Sequence, residues 1–151
     1  MNFNTNEIRA SLQTKFGSEV INSASLFSVN REAVFIDPTY QQPVFNFLFY
    51  EQQWRFDKLH DLMLLFEPGF GLTNYLLQYE LGSRQFQNRL RLLLPFQFEQ
   101  PKIYSLQSLY RNAGSLEQKM TVIHNLHFMQ KTSRLAIWKE QVKTAIIFFP
   151  F

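Results

Sequence analysis

Apolar and polar side chains alternate in two neighbouring segments near the middle of the chain. Residues 75–81 and 89–94 place an apolar side chain on every second position, and a loop starting at Gly82 separates them. Such alternation is typical of strands that bury one face against a core. The two segments predict an antiparallel hairpin with one buried face. Its other face carries Arg89 and Arg91.

Other segments follow the spacing of helices or further strands. Asn4 precedes Glu7 by three positions, and Ile8, Leu12 and Phe16 follow on one helical face until Gly17, so a first helix is predicted. Strands are predicted at residues 25–29 and 33–37, and a second helix is predicted from Pro43. Residues 56–66 predict another strand. Because residues 62–66 are apolar on both faces, this strand is expected to be central in the sheet.

The last third of the chain is predicted to be helical. After Pro101 apolar residues fall on one helical stripe until Gly114, which predicts a helix there. Residues 115–118 match a capping box and predict the start of another helix. Residues 132–146 predict a final amphipathic helix. Strands followed by helices indicate an α+β fold: a small mixed or antiparallel sheet with an N-terminal helix, a crossover helix and C-terminal helices. A chain of 151 residues without repeats or linkers predicts one domain, residues 1–151.

The composition excludes several kinds of functional site. The chain has no cysteine, which excludes disulfides, thiolate nucleophiles and cysteine-ligated metal clusters. No apolar run approaches the roughly 20 residues that span a bilayer. Phe occurs 17 times, and the simpler interpretation is that these rings fill core and interface volume. Aromatic surface beyond what one small domain can bury would favour permanent contact with partners, and the Phe content would also suit an AT-rich, organelle-encoded gene. The formal net charge of +3 is mild and spread along the chain.

Residues that could carry catalysis or bind metal are sparse. His124 and His127 stand three apart on a predicted helix and could present two imidazoles to a metal, but an ordinary polar helix edge fits them better. His60 lies between Asp57 and Asp61, where a structural role is favoured over acid–base chemistry. No motif indicates a nucleophile or a nucleotide loop. We therefore predict no catalytic residue, no metal site and no cofactor.

The order of several short motifs resembles a known family. The stretch Phe56-Asp57-Lys58-Leu59-His60-Asp61-Leu62 is followed by a strand ending in Tyr79-Glu80-Leu81, a basic-apolar strand closing on Pro95, and then Ser105 and Glu117. This order is similar to that of the thirty-kilodalton subunit family of NADH:ubiquinone oxidoreductase (respiratory complex I). The resemblance covers roughly residues 12–128. It departs from the family pattern at Lys119, where a Glu is expected, and at Asn125, where a Gly is expected.

The resemblance implies a role in an assembly. It implies a cofactor-free structural subunit of the peripheral arm, which supports electron transfer from NADH to ubiquinone coupled to proton pumping. The implied partners are the large quinone-site subunit and the cluster-bearing subunits, and the implied location is peripheral, on the matrix side of the mitochondrial inner membrane. Residues 129–151 would form a divergent helical tail.

We chose candidate contact residues from this resemblance and from the pattern of charged and apolar residues. They are two strand arginines, the acid that keeps the family's first Glu, and three phenylalanines of the apolar terminus: Arg89, Arg91, Glu117, Phe148, Phe149 and Phe151. For the arginines, a solvated strand face is an equal alternative. For the whole chain the alternative function is a mitochondrial ribosomal or other RNA-associated structural protein, since the sequence pI is about 9.3. The resemblance itself implies no nucleic acid and no membrane span.

Overall fold

The alternating segments pair into the centre of a sheet. In the computed structural model, which describes residues 5–21, 33–66, 75–96 and 103–129, four strands assemble in the order β1-β4-β3-β2. They are β1 (Ala33–Phe35), β2 (Lys58–Phe66), β3 (Tyr75–Gly82) and β4 (Arg89–Phe96). β1 runs parallel to β4, and the β2–β3 and β3–β4 pairs are antiparallel. The predicted hairpin and the mixed sheet of an α+β fold are confirmed.

Three α-helices accompany this sheet in the described ranges: α1 (Thr5–Phe16), α2 (Gln41–Tyr50) and α3 (Ala113–His124). α1 buries Ile8 and Leu12 and ends before Gly17, whose φ of 97° is unfavourable for residues with a side chain. α2 begins two positions before Pro43 and connects the two outer strands, β1 and β2, which makes it the predicted crossover helix. Short 3₁₀ turns at Ser18–Val20 and Pro38–Tyr40 complete the connections.

The main core lies between one face of the sheet and α2. Leu90, Leu92 and Tyr79 point to this face and are almost fully buried. Phe45 of α2 packs on Tyr79 with its ring centroid 4.8 Å away, in an edge-to-face arrangement that aromatic rings prefer. The helix therefore packs directly on a central strand of the sheet.

The predicted central position of residues 62–66 is wrong. β2 is an edge strand of the described sheet, and Met63 and Phe66 are 42% and 59% exposed. The central strands are β3 and β4. In the second half of the hairpin both faces are buried, because Leu76 and Leu93 form a small second cluster with Ala33 and Phe35 on the face opposite the main core. The prediction of a hairpin with one buried face is correct only for the half of the hairpin near Gly82.

The helix predicted after Pro101 is also wrong. Residues 104–112 form a bridge and successive turns, and α3 begins at Ala113, so Gly114 lies in its first turn and does not interrupt a helix. The capping box at residues 115–118 does not form, since the Ser115 hydroxyl donates to the Asn112 carbonyl. The strand predicted at residues 25–29 and the helix predicted at 132–146 lie outside the described residues.

Candidate functional site

The polar half of the hairpin's outer face carries both predicted arginines. β4 alternates exposed Arg89 and Arg91 with buried Leu90 and Leu92, so both guanidinium groups stand on the side away from the main core. Arg89 forms an ion pair with Glu80 of β3 at 3.2 Å, although its side chain is 66% exposed. An exposed pair of this kind contributes about 0.2–1 kcal/mol.

Arg91, unlike Arg89, forms no ion pair with the described residues. It lies directly opposite Glu80 in the strand register, yet Glu80 pairs with Arg89. Within the described residues, the exposed Arg91 side chain makes no ion pair. Next to it on the same face, the second apolar cluster begins with Ala33, which is opposite Arg91 in β1. On the outer face, an exposed cation without an ion pair to any described residue therefore lies beside a buried apolar cluster.

Glu117 lies inside the protein and not on this face. Its side chain on α3 is 3% exposed. One carboxylate oxygen accepts the Ser105 hydroxyl at 2.6 Å and the other accepts the Leu106 backbone N–H at 2.7 Å. The carboxylate thus ties α3 to the turn segment 104–112, a role that the sequence pattern did not indicate. The contact with another subunit that was expected of Glu117 stays a prediction.

A second internal connection was also missed. Gln41 is fully buried at the start of α2, and its side-chain amide both donates to the Tyr104 carbonyl at 2.9 Å and accepts the Tyr104 N–H at 2.8 Å. The same amide lies 3.4 Å from the Tyr79 hydroxyl. Burial and then the charge of Glu117 raise the pKa of Tyr79, while its hydrogen bond to Gln41 acts in the opposite direction. The phenol therefore stays protonated.

A cleft opens at the end of the hairpin near Gly82. It has a volume of about 760 Å³, and its walls include Asp57, Lys58, Arg84 and Arg111. The register of β2 shifts between Leu59 and Asp61, and a side chain at Gly82 would collide with the His60 ring. The sequence drew attention to Asp57 and His60 but did not relate them to Arg84 and Arg111, which line the same cleft. Arg84 stands in a loop and Arg111 in a turn, where no periodicity relates them to β2.

The histidines considered for metal binding do not share a helix. His124 is the last residue of α3, and Asn125 then adopts a left-handed conformation with φ of 55°. His127 follows this break and contacts the Asn125 side chain at 3.1 Å. In the described ranges no group of three or more His, Asp or Glu side chains could hold a metal ion. The prediction that both histidines lie on one helix is wrong.

The remaining contact candidates cannot be placed. Phe148, Phe149 and Phe151 lie outside the described residues, as does nearly all of the tail predicted for residues 129–151. Met129 itself forms a parallel bridge with Tyr104. No helix in the described part of the chain is long and apolar enough to cross a membrane.

Comparisons with known proteins give a likeness of fold. No family model and no curated protein matches the sequence. Among solved structures, the chain is similar to Nqo5, crystallised as its trypsin-resistant fragment 1–134 in a P63 form, with a TM-score of 0.54 and 17% sequence identity. The match covers 63% of this chain and 76% of the Nqo5 chain. At this identity the likeness shows a shared fold.

Proposed function

We propose that this chain is a non-catalytic structural subunit of the peripheral arm of NADH:ubiquinone oxidoreductase. The proposal includes the mitochondrial location, peripheral on the matrix side of the inner membrane. In this role the chain supports electron transfer by holding the cluster-bearing and quinone-site subunits in place. No reacting group of its own takes part.

The observation that carries the proposal is the agreement between fold and motif order. Nqo5 is a subunit of the thirty-kilodalton type of complex I, and this chain has a similar fold over 63% of its length. The motifs on which the family resemblance rests fall on neighbouring strands of one sheet: the stretch of residues 56–62 leads into and forms the first half of β2, and the next two motifs form β3 and β4. Ser105 and Glu117, which are distant in sequence, are joined by a hydrogen bond. The motifs therefore describe one connected piece of structure.

The outer face of β4 supports a contact with a neighbouring subunit. Arg91 is exposed and lacks an ion pair inside the described chain, so its guanidinium can meet a carboxylate of a partner without losing an internal partner. The adjacent apolar cluster is part of the same sheet face. Because the side chains of this cluster are already buried, the part of the face that a partner can meet is the charged part, and Arg is enriched at subunit interfaces.

Replacing Arg91 tests this contact. We expect Arg91→Glu to leave the chain folded, with a loss of at most about 1 kcal/mol because the new carboxylate stands opposite Glu80. Assembly should weaken much more, since the loss of one partner of a desolvated ion pair typically costs about 2–5 kcal/mol. The measurement compares the melting curve of the variant with the yield of intact complex on a native gel.

Lys15→Glu is the matched control. It makes the same change of charge at an exposed position on α1, a helix outside the sheet, where the Lys15 ammonium contacts the Phe16 and Phe47 rings. This variant should assemble like the wild type. If Arg91→Glu and Lys15→Glu assemble equally well, the outer face of β4 is only solvated. If Arg91→Glu unfolds the chain, the assignment of the two strand faces is wrong.

A further inference from the structure

The cleft at the end of the hairpin gathers three cations that form no ion pair with the described residues. Lys58 stands at the start of β2, Arg84 in the hairpin loop and Arg111 in the turn before α3, and all three side chains are exposed. None of them forms an ion pair within the described residues. Arg89 differs, because its charge is already met by Glu80. Three cations facing one concave space produce a positive potential that attracts acidic groups.

One acid in the cleft offsets only part of this charge. Asp57 lines the same space, and one of its carboxylate oxygens accepts the backbone N–H of Arg84 at 3.1 Å. This hydrogen bond holds the hairpin loop against the start of β2. With Lys58, Arg84 and Arg111 against Asp57, the cleft retains a net positive charge before any contribution from His60.

Internal hydrogen bonds fix the walls of the cleft. The Tyr110 hydroxyl donates to the Phe56 carbonyl at 2.8 Å, and the Asn112 side-chain amide donates to the Leu59 carbonyl at 2.7 Å. Burial and then the charge of Asp57 raise the pKa of Tyr110, so its hydroxyl remains a donor. These bonds attach the turn carrying Arg111 to the strand carrying Lys58. A site that is rigid before binding loses less entropy when a ligand arrives.

We propose that this cleft binds an acidic segment of a protein partner. A second depression of about 280 Å³ shares Lys58, His60 and Arg84 with the cleft and extends to Arg89, so the positive surface is elongated and suits an extended peptide more than a single anion. Phe49 and Leu109 add an apolar wall that can receive one apolar side chain of the segment.

The lining favours a peptide over RNA. Single-stranded RNA binds where exposed aromatic rings offer stacking surfaces along a basic groove. Here Tyr110 is buried and Phe49 is half-buried, so neither ring offers an exposed face on which a base could stack. The proposal goes beyond the structural role in complex I and does not depend on which assembly contains the partner.

The test uses the full chain and a short fluorescein-labelled peptide of Glu and Gly with one central Leu. Its binding is followed by fluorescence anisotropy. We expect the Kd to rise about tenfold in the double variant Arg84→Gln/Arg111→Gln, because two partly screened charge contacts are lost. On the wild-type chain, a peptide with Gln in place of Glu should bind at least about tenfold more weakly, and added salt should weaken the Glu peptide.

The matched control is Lys15→Gln/Lys119→Gln, which removes the same charge from exposed positions on α1 and α3. Its Kd should stay within about twofold of the wild type, since neither lysine lines the cleft or the second depression and exposed charges outside a site are screened by salt. The proposal is overturned if the cleft variant binds normally or if the control loses as much affinity. It is also overturned if the Gln peptide binds equally well, or if oligouridine binds the wild type more tightly than the Glu peptide. The last two comparisons need only the wild type.

Discussion

Glu117→Ala should destabilise the fold by about 3–5 kcal/mol, because it leaves two buried donors without their acceptor. The carboxylate accepts the Ser105 hydroxyl and the Leu106 N–H, and Ser105, Leu106 and Glu117 are all buried. Water cannot readily replace the lost acceptor there. Chemical denaturation followed by circular dichroism measures the loss.

Glu117→Gln is the informative control. Its carbonyl oxygen can still accept the Leu106 N–H, and its amide group can donate to the Ser105 oxygen if the hydroxyl rotates. We therefore expect a loss of only about 1–2 kcal/mol, from exchanging charge-assisted bonds for neutral ones. If Glu117→Ala costs less than Glu117→Gln, the carboxylate does not connect α3 to the turn segment as the structure indicates.

Phe45→Ala should cost about 3–5 kcal/mol, the range found when a buried aromatic side chain is removed and its space does not fully close. Phe45 is fully buried, and its ring meets that of Tyr79 at 4.8 Å between α2 and the central strands. Its loss removes the main aromatic contact between the helix and the sheet. The free energy of unfolding gives the magnitude.

Tyr50→Ala tests the same helix at its exposed end. Tyr50 is 66% exposed and contacts the Phe49 ring at 4.8 Å. A loss below about 1 kcal/mol is expected, since surface substitutions away from packed features change stability little. Similar losses for Phe45→Ala and Tyr50→Ala would contradict the packing of α2 on the sheet.

The hairpin could be predicted because its signal is local. The alternation of apolar and polar residues along β3 and β4 indicates which side chains share a face. The short loop after Gly82 allows the two strands to pair as neighbours. The sequence also placed Arg89 and Arg91 correctly on the outer face. It could not show that Glu80 would pair with Arg89, because Gly82 and not Glu80 lies opposite Arg89 in the register.

The position of β2 could not be predicted from its apolar run. Apolar residues on both faces usually mark a central strand. Here β1 joins β4 from the other side by parallel pairing, which occupies the remaining free edge of the hairpin and leaves β2 outermost in the described sheet. Pairing between segments that are far apart in the sequence produces no periodic pattern in the sequence of either segment.

The turn segment 104–112 was mistaken for a helix for a related reason. Its apolar residues fall at helical spacing, but its polar groups bond to distant partners. Gln41 holds Tyr104, Glu117 holds Leu106, and Tyr110 reaches Phe56. These side-chain contacts satisfy groups that would otherwise bond within a helix. The cleft was missed in the same way, because its cations come from three separate elements.

The identity of the stably associated chains tests the proposed function most directly. The chain is tagged at its gene, the assembly is purified under non-denaturing conditions, and the co-purifying chains are identified by mass spectrometry. We predict peripheral-arm subunits of NADH:ubiquinone oxidoreductase in equal amounts with the tagged chain, in a native-gel band that oxidises NADH. Recovery of ribosomal proteins, or of the tagged chain apart from an intact NADH-oxidising complex, would contradict the proposal.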